Sequence, residues 1–350
     1  MAVGFPAKTT YANGDVFSAS DINDTNGTLN LLTSSTLSNS AGKNAIINGS
    51  MDIVQRGTSF AIALNTTTYT LDRWCARRGA NGETISQQNT SDNTNLPFLK
   101  KCLRIQRNSG DTSTTVMSIS QSLETINSTP FAGRTIAVSF YARRGANYSG
   151  ASNSFNCDIY TGTGTDENVS LGYTGSAQTG QVIATLTTTW QRFSGSVTIP
   201  STATEIGLYF NYTPVGTAGA ADYVEITGVQ LELGQTPTTF SDSGAGGIQG
   251  ELAACQRYFQ TITGDNAFPL LQGYGGTSGV NVANFTFPVT MRIAPTATKT
   301  GTWTTNNCSQ VSAGNLNPYG FALSTTTTVV GVYFQYPDNS SDNITFSAEL

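Results

Sequence analysis

The sequence contains no histidine, and charged residues make up only 11% of its 350 positions. Without an imidazole, neither Ser-His-Asp nor Cys-His catalysis is possible, and the usual zinc ligand sets are incomplete. The net charge is −5 and the arginines are scattered, whereas nucleic-acid binding relies on a concentrated basic surface. No apolar run reaches the roughly 18 residues of a membrane-spanning helix. We therefore expect no histidine-dependent enzyme, no nucleic-acid partner and no membrane insertion.

Cysteine is scarce, and glycine is abundant but not arranged for phosphate binding. The five cysteines lie far apart without a C-x-x-C pair, which does not predict a disulfide framework or a metal site. In the segment Gly244–Gly250, Gln249 stands where a G-x-G-x-x-G motif needs its last glycine. The opening MAVGFPAKTTYANGD has no apolar stretch typical of a secretion signal. We expect free thiols, folding in a reducing cytosol, and neither metal nor cofactor.

Thr, Ser and Asn are plentiful, and β-branched and aromatic residues recur at short spacing, which predicts an all-β protein. Alternation is clean at Ile136, Val138 and Phe140, with similar patterns from Phe193 to Ile199 and from Ile206 to Phe210. Short strands separated by turn residues predict a jelly-roll β-sandwich over residues 44–240. The expected strands are Tyr69–Arg77, Lys101–Arg107, Val116–Leu123, Arg134–Arg143, Ser154–Tyr160, Gln181–Leu186, Trp190–Ile199, Glu205–Asn211 and Asp222–Leu233.

The stretch from Asp222 to Gln260 marks the boundary between two units. It begins as a strand, passes through a Gly- and Ser-rich linker at residues 241–250, and then changes to a helical period. One face of this short helix would carry Leu252, Cys255, Tyr258 and Phe259. A smaller C-terminal β-domain is predicted over residues 251–350. Its expected strands are Ala283–Arg292, Val329–Tyr336 and Ile344–Leu350, the last with its end packed.

Residues 1–43 lack a strand pattern and contain a helix signal instead. Ser20 is a good N-cap, and the apolar stripe that follows has heptad spacing. About two heptads are too short for a stable isolated coil, so the segment needs a partner. We predict a short helical anchor for docking or oligomerisation; the alternative is a frayed terminus. The anchor positions are Ile22, Thr25, Leu29 and Leu32.

Several motifs occur in an order that resembles bacteriophage tail-fibre proteins with a carbohydrate-binding-like jelly roll. They are FSASDIN, NAIINGSMDIVQRGTSF, YTLDRW, GVQLELGQTPTTF, ELAACQRYFQ, FPVTMRIAPT and FSAEL. The resemblance implies a homotrimeric fibre or adhesin located in the virion. Residues 1–43 would attach it to a tail adaptor, nozzle or capsid protein, and its C-terminal domains would face a host-surface polysaccharide or receptor.

Two alternatives to a tail fibre remain open. A head fibre or capsid decoration protein would use the same N-terminal attachment. A polysaccharide depolymerase is less favoured, because a glycosidase needs two carboxylates flanking a cleft and the sequence neither pairs its acids nor contains a β-helix repeat. We therefore predict that the chain is not an enzyme. The acids available for such chemistry are Glu124, Glu205, Glu225, Glu232, Asp158 and Asp222.

Glycan recognition usually needs an exposed aromatic ring flanked by polar groups. Trp74 is predicted to lie in the core, whereas Trp303 has small polar neighbours and is the first candidate for ligand contact. Burial in a core or in a trimer interface is the alternative for every candidate. The segment Asp338–Asp342 could hold calcium, but an exposed acidic turn is the favoured interpretation. The ligand-binding candidates are Trp303, Tyr319, Tyr333, Tyr336 and Trp190.

Overall fold

The computed structural model describes residues 43–244, 247–263, 269–338 and 342–350. The predicted anchor positions Ile22, Thr25, Leu29 and Leu32 lie outside the described residues, so the anchor stays a prediction. Within the described residues, no helix has the length and apolar character needed to cross a bilayer.

The larger domain consists of two six-stranded antiparallel sheets. Its strands are β1 (Ser59–Ala61), β2 (Thr67–Tyr69), β3 (Cys75–Arg78), β4 (Glu83–Asn89), β5 (Lys101–Arg107), β6 (Met117–Ser122), β7 (Thr135–Arg144), β8 (Ser154–Gly162), β9 (Ala177–Thr185), β10 (Gln191–Thr198), β11 (Glu205–Tyr212) and β12 (Tyr223–Leu233). Sheet 1 has the order β1-β4-β5-β12-β7-β10, and sheet 2 has the order β2-β3-β6-β11-β8-β9. A short helix, α1 (Thr125–Ser128), and 3₁₀ turns at Thr129–Phe131 and Ala151–Asn153 connect them.

The core lies between the two sheets and is built by alternation along the strands. Ile136, Val138 and Phe140 point inward from β7, as predicted, and are fully or almost fully buried. The Phe140 ring meets Phe210 of sheet 2 edge-to-face, with centroids 5.0 Å apart, a favourable aromatic geometry. Phe193 on β10 is only half-buried, because β10 is an edge strand of sheet 1. The predicted all-β sandwich is confirmed.

One predicted strand is broken in two. The expected strand Tyr69–Arg77 is interrupted by a turn in which the Trp74 amide donates to the Leu71 carbonyl. Arg73 adopts a left-handed conformation there, with φ of 70°. The turn buries Trp74, as predicted, and its indole Nε1 donates to the Asn48 carbonyl at 3.0 Å. Strand β4 was not predicted, because Ile85 is the single aliphatic residue in its sequence ETISQQN.

The C-terminal domain contains three three-stranded antiparallel sheets. Its elements are α2 (Ile248–Gln256), β13 (Phe259–Thr263), β14 (Leu271–Gly275), β15 (Val280–Thr286), β16 (Thr296–Lys299), β17 (Trp303–Asn306), β18 (Ser312–Asn317), β19 (Gly320–Thr326), β20 (Gly331–Pro337) and β21 (Asn343–Ser347). The sheet orders are β13-β21-β16, β14-β20-β17 and β15-β19-β18. The expected strand Ala283–Arg292 ends earlier, at Thr286, ahead of Pro288.

Helix α2 is too short to carry all four residues of the predicted apolar face. It ends at Gln256, and Phe259 already begins β13. Tyr258 and Phe259 are nevertheless buried. The Tyr258 carbonyl accepts the Ala348 amide proton at 2.8 Å, so the chain gains sheet-like pairing at this position instead of another helical turn.

The described residues of the predicted linker are packed against their surroundings. The Glu251 carboxylate accepts hydrogen bonds from the Ser243 hydroxyl at 3.0 Å and the Gly244 amide at 2.7 Å. It also accepts the Asn48 amide proton from the larger domain, and the Asn44 side chain donates to the Ser241 carbonyl at 3.0 Å. The described part of this crossing is therefore held by hydrogen bonds to the sandwich.

A buried charged cluster also joins the two domains. Glu349 forms ion pairs with Arg56, at 2.5 Å, and with Arg73. The two guanidinium groups each lie 3.6 Å from an aromatic ring centroid, Arg56 over Phe259 and Arg73 over Tyr258. Because Arg73 is fully buried, its charge depends on this carboxylate and on the ring. We call Arg56, Arg73, Tyr258, Phe259 and Glu349 the interdomain cluster.

Candidate functional site

Three of the five predicted ligand-contact aromatics are buried. Trp303 is 3% exposed, Tyr333 6% and Trp190 4%. The Trp303 ring packs in the C-terminal core and its Nε1 donates to the Thr300 carbonyl, whereas Trp190 is covered by Leu96 and Leu99. The expected exposure of these rings is wrong, because Trp303 and Tyr333 face inward from their sheet and a loop covers Trp190. Burial in the core was the alternative, and the structure shows it.

The other two candidates are accessible but lie on different sheets. Tyr319, in the turn between β18 and β19, is 71% exposed and lines a cavity of about 260 Å³. Tyr336 is half-buried on β20, where its ring stacks on Phe334 with centroids 5.9 Å apart. The structure does not bring them together into one site. Their role in ligand binding stays a prediction.

The outer face of sheet 2 brings polar and aromatic side chains together across five strands. On β11, Tyr209 lies opposite Ser120 of β6 and Asp158 of β8. Two residues further along β11, on the same face, Asn211 lies opposite Ser118 of β6 and Asn156 of β8. Ser118 in turn lies opposite Arg77 of β3. We call this surface the sheet-2 face. Its members are Arg77, Ser118, Asn156, Asp158, Tyr160, Gln178, Gln181, Tyr209 and Asn211.

Two half-buried tyrosines lie at the centre of the sheet-2 face. The rings of Tyr160 and Tyr209 meet nearly perpendicularly, at 87°, with centroids 6.0 Å apart. Burial raises the pKa of Tyr160, and the neighbouring Asp158 charge raises it further. The Tyr160 phenol is therefore a neutral hydrogen-bonding group at physiological pH. Together the two rings offer an apolar surface bordered by hydroxyl groups.

A loop forms a wall beside the tyrosine pair. Gly207, opposite Tyr160 on β11, has no side chain, and the loop between β8 and β9 packs into that space. A Cβ atom at Gly207 would lie 2.5 Å from the Tyr173 hydroxyl and 2.8 Å from Val169 Cβ. Glycine at this position therefore allows the loop to approach the sheet and gives the face a raised edge.

Asp158 fixes three carboxamides around the tyrosine pair. Its carboxylate is 7% exposed and accepts hydrogen bonds from Gln178 at 3.0 Å, Gln181 at 2.6 Å and Asn211 at 2.7 Å. Among the described residues, Gln178 and Gln181 each use one N–H in this way and retain a second N–H and an amide oxygen. Asn211 also donates to the Tyr209 carbonyl at 3.3 Å and retains its amide oxygen. The result is a fixed set of donors and acceptors next to two aromatic rings.

A cavity of about 410 Å³ continues the sheet-2 face beyond Tyr209. Asn65, Arg77, Arg78, Thr115, Ser118 and Tyr209 are among its lining residues. This volume lies within the usual range for small-ligand pockets, about 300–1,000 Å³. Tyr209 lines both the cavity and the tyrosine pair, so the two parts are continuous.

The six acids considered for glycosidase chemistry are all buried. Each one accepts hydrogen bonds from other groups of the protein. Glu225, for example, lies between Arg104 and Arg143, and Asp222 contacts Arg107 and Ser149. The other pairings are Glu124 with Arg257, Glu205 with Thr125, Glu232 with Thr238 and Asp158 with the three carboxamides. The non-enzymatic assignment nevertheless stays a prediction.

Among the described residues, no group of three or more acidic or cysteine side chains is placed to hold a metal ion. Residues 339–341 of the suggested calcium turn lie outside them. Asp342 is buried and accepts the Asp338 amide proton at 3.1 Å. The expected exposure of this acidic turn is therefore wrong at Asp342. The five cysteines are buried free thiols, as predicted.

Comparisons with known proteins found similarity in solved structures only. No protein-family model and no curated protein matches the sequence. A CBM4 structure is 15% identical with a TM-score of 0.30, covering 53% of this chain and 98% of its own. The CBM22-1 xylan-binding domain from Paenibacillus barcinonensis Xyn10C is 14% identical with a TM-score of 0.31, covering 56% and 97%. Identities and TM-scores this low do not assign a function to this chain.

A bacteriophage structure also occurs among the similar folds. It is the enzymatically active domain of tailspike protein 4 of bacteriophage CBA120, which is 11% identical with a TM-score of 0.32. The match covers 55% of this chain but only 21% of the tailspike chain. The similarity therefore concerns one part of that protein.

Proposed function

We propose that this chain is a structural virion protein, a tail fibre or adhesin, that binds host-surface glycan through the sheet-2 face. The observation that carries the binding role is the Tyr160–Tyr209 pair beside the three carboxamides held by Asp158. A sugar ring has apolar C–H faces that pack on aromatic rings and hydroxyl groups that need fixed donors and acceptors. The sheet-2 face supplies both within one patch.

The virion role rests on the ordered motifs and on the all-β architecture. In this proposal residues 1–43 attach the fibre to a tail or capsid protein, and the two β-domains project from the particle. The interdomain cluster would hold the glycan-binding face at a fixed orientation to the C-terminal domain. A head fibre or capsid decoration protein is the second possibility. A depolymerase is the third, and the burial of all six candidate acids weighs against it.

Replacing Tyr209 by Ala is expected to weaken glycan binding about five- to thirtyfold, because loss of a stacked aromatic ring removes roughly 1–2 kcal/mol. The wild-type chain would first be screened on a glycan array, and its best ligand would then be titrated calorimetrically into Tyr209→Ala and Tyr160→Ala. Tyr319→Ala is the matched control, because it removes an exposed tyrosine from the other domain. If Tyr319→Ala abolishes binding while Tyr209→Ala and Tyr160→Ala bind normally, the assignment of the binding site to the sheet-2 face is wrong.

The proposed fibre should be a trimer in solution. Light scattering of the full chain is expected to give a mass near three times 36.9 kDa. Several large apolar side chains of the C-terminal domain are exposed, including Tyr274, Val280, Val282 and Val332, and self-association would remove some of this surface from water. A stable monomer at micromolar concentration would contradict an autonomous trimer and would leave the glycan-binding proposal unaffected.

A further inference from the structure

The cavity at the Arg77 end of the sheet-2 face differs in charge from the rest of the molecule. The chain as a whole has a net charge of −5. The cavity, by contrast, is lined by Arg77 and Arg78, and none of the lining residues that the structure gives it is acidic. Its other side-chain polar groups are neutral amides and hydroxyls. An anionic ligand group would therefore meet positive charge here without a competing carboxylate in the wall.

The two arginines of the cavity have different roles. Arg78 is committed to the fold, since its Nε donates to the Asn81 carbonyl and its Nη1 to the Ile62 carbonyl. The buried Glu83 carboxyl interacts with Arg78, but burial raises its pKa to about 8, so at neutral pH it is protonated and leaves the Arg78 charge in place. Arg78 therefore contributes a fixed positive charge to the cavity wall.

The Arg77 side chain is exposed, and only part of its hydrogen-bonding capacity is used. Its Nη1 donates to the Ser170 carbonyl at 2.6 Å, which restrains the guanidinium plane. Among the described residues, neither its Nε nor its Nη2 has a hydrogen-bond partner, and it takes part in no ion pair. Nε and Nη2 form the side edge of the guanidinium fork, which matches the two oxygens of a planar carboxylate. The restrained arginine thus presents a preformed bidentate donor.

We propose that the cavity binds the carboxylate of an acidic sugar residue, of the uronic acid type, within the host glycan. This proposal rests on the proposed function and specifies its substrate class. The Arg77 Nε and Nη2 atoms donate to the two carboxylate oxygens, and the Arg78 charge adds attraction. The neighbouring sugar residue of the same chain then lies over Tyr209, which lines both the cavity and the tyrosine pair.

The test compares matched acidic and neutral ligands by calorimetry. The probes are a β-1,4-linked glucuronic acid trisaccharide and the corresponding glucose trisaccharide, each titrated into the full chain. At about 50 mM NaCl we expect the acidic ligand to bind at least about tenfold more tightly, because a charged hydrogen bond is added. The preference should shrink at about 500 mM NaCl, since salt screens exposed charges.

Arg77→Gln should reduce the acidic preference to within about twofold, because the variant loses the charged donor pair that distinguishes the acidic ligand from the neutral one. Arg134→Gln is the matched control, because Arg134 is also exposed and lies outside the sheet-2 face; the preference should persist in this variant. Thermal melts of both variants would show whether folding is intact.

The outcomes separate this inference from the proposed function. Equal affinity for the two ligands, with both lost in Tyr209→Ala, would overturn the acidic specificity and leave glycan binding in place. An acidic preference that survives Arg77→Gln would also overturn it. If neither these ligands nor any glycan on the array binds, both the specificity and the proposed function are wrong.

Discussion

Glu349→Ala is expected to lower the free energy of unfolding by about 3–5 kcal/mol, because removing one partner of a buried ion pair leaves an uncompensated charge. In the wild-type chain Glu349 contacts both Arg56 and Arg73. Arg73 is fully buried, so water cannot replace the lost carboxylate. The Tyr258 and Phe259 rings that cover the two arginines would remain, but their attraction is weaker than the ion pairs.

Chemical denaturation, followed by tryptophan fluorescence and circular dichroism, measures this effect. Glu167→Ala is the matched control, because Glu167 lies in a surface loop and, among the described residues, its carboxylate accepts hydrogen bonds from Thr174 only. We expect that control to change stability by less than about 1 kcal/mol. If Glu349→Ala is no more destabilising than Glu167→Ala, the interdomain cluster does not hold the domains together.

Glu83→Gln is expected to make stability less dependent on pH. The Glu83 side chain is buried, and within the part of the chain that the structure describes neither carboxylate oxygen has a hydrogen-bond partner. Burial raises the pKa of Glu83 from 4.5 to about 8, although the nearby Arg78 charge opposes the rise. Between these values the unfolded chain releases its proton while the folded chain retains it. The contribution of Glu83 to stability is therefore complete below pH 4.5, falls as the pH rises toward 8, and is constant above 8.

The size of this effect follows from the two pKa values. A difference between 4.5 and about 8 corresponds to a loss on the order of 4 kcal/mol at pH 9 relative to pH 4. Denaturation at both pH values should show Glu83→Gln gaining that much on the wild type at the higher pH. Glu167→Gln, which changes a surface carboxylate, should show no such gain. A stability difference between Glu83→Gln and the wild type that is the same at both pH values would contradict the assigned pKa.

Much of the larger domain was predictable, because its strands alternate strongly. Lys101–Arg107 was predicted to the residue, and Ile206, Leu208 and Phe210 point inward as expected. The same alternation places Tyr209 outward, so the sequence contained the signal for the sheet-2 face. The two tryptophans that the sequence offers as ligand contacts, Trp303 and Trp190, are instead buried. In Trp303 the polar neighbours suggested exposure, but the ring is inward on a strand whose outward positions carry the polar residues.

Contacts between distant parts of the chain could not be predicted from local patterns. Arg73 and Glu349 are separated by 276 positions, and nothing around either residue indicates the other. Likewise, nothing around Asp158 indicates that it accepts hydrogen bonds from carboxamides on β9 and β11. Such pairings depend on the order and register of the strands in the folded sheets, which local sequence patterns do not specify.

The most direct test of the central claim is a crystal structure of the full chain with its best array glycan bound. We predict a sugar ring against Tyr209 and Tyr160, with hydrogen bonds to carboxamides held by Asp158. Glycan bound instead at Tyr319 or Tyr336, with the sheet-2 face empty, would contradict this assignment and place the binding site in the C-terminal domain.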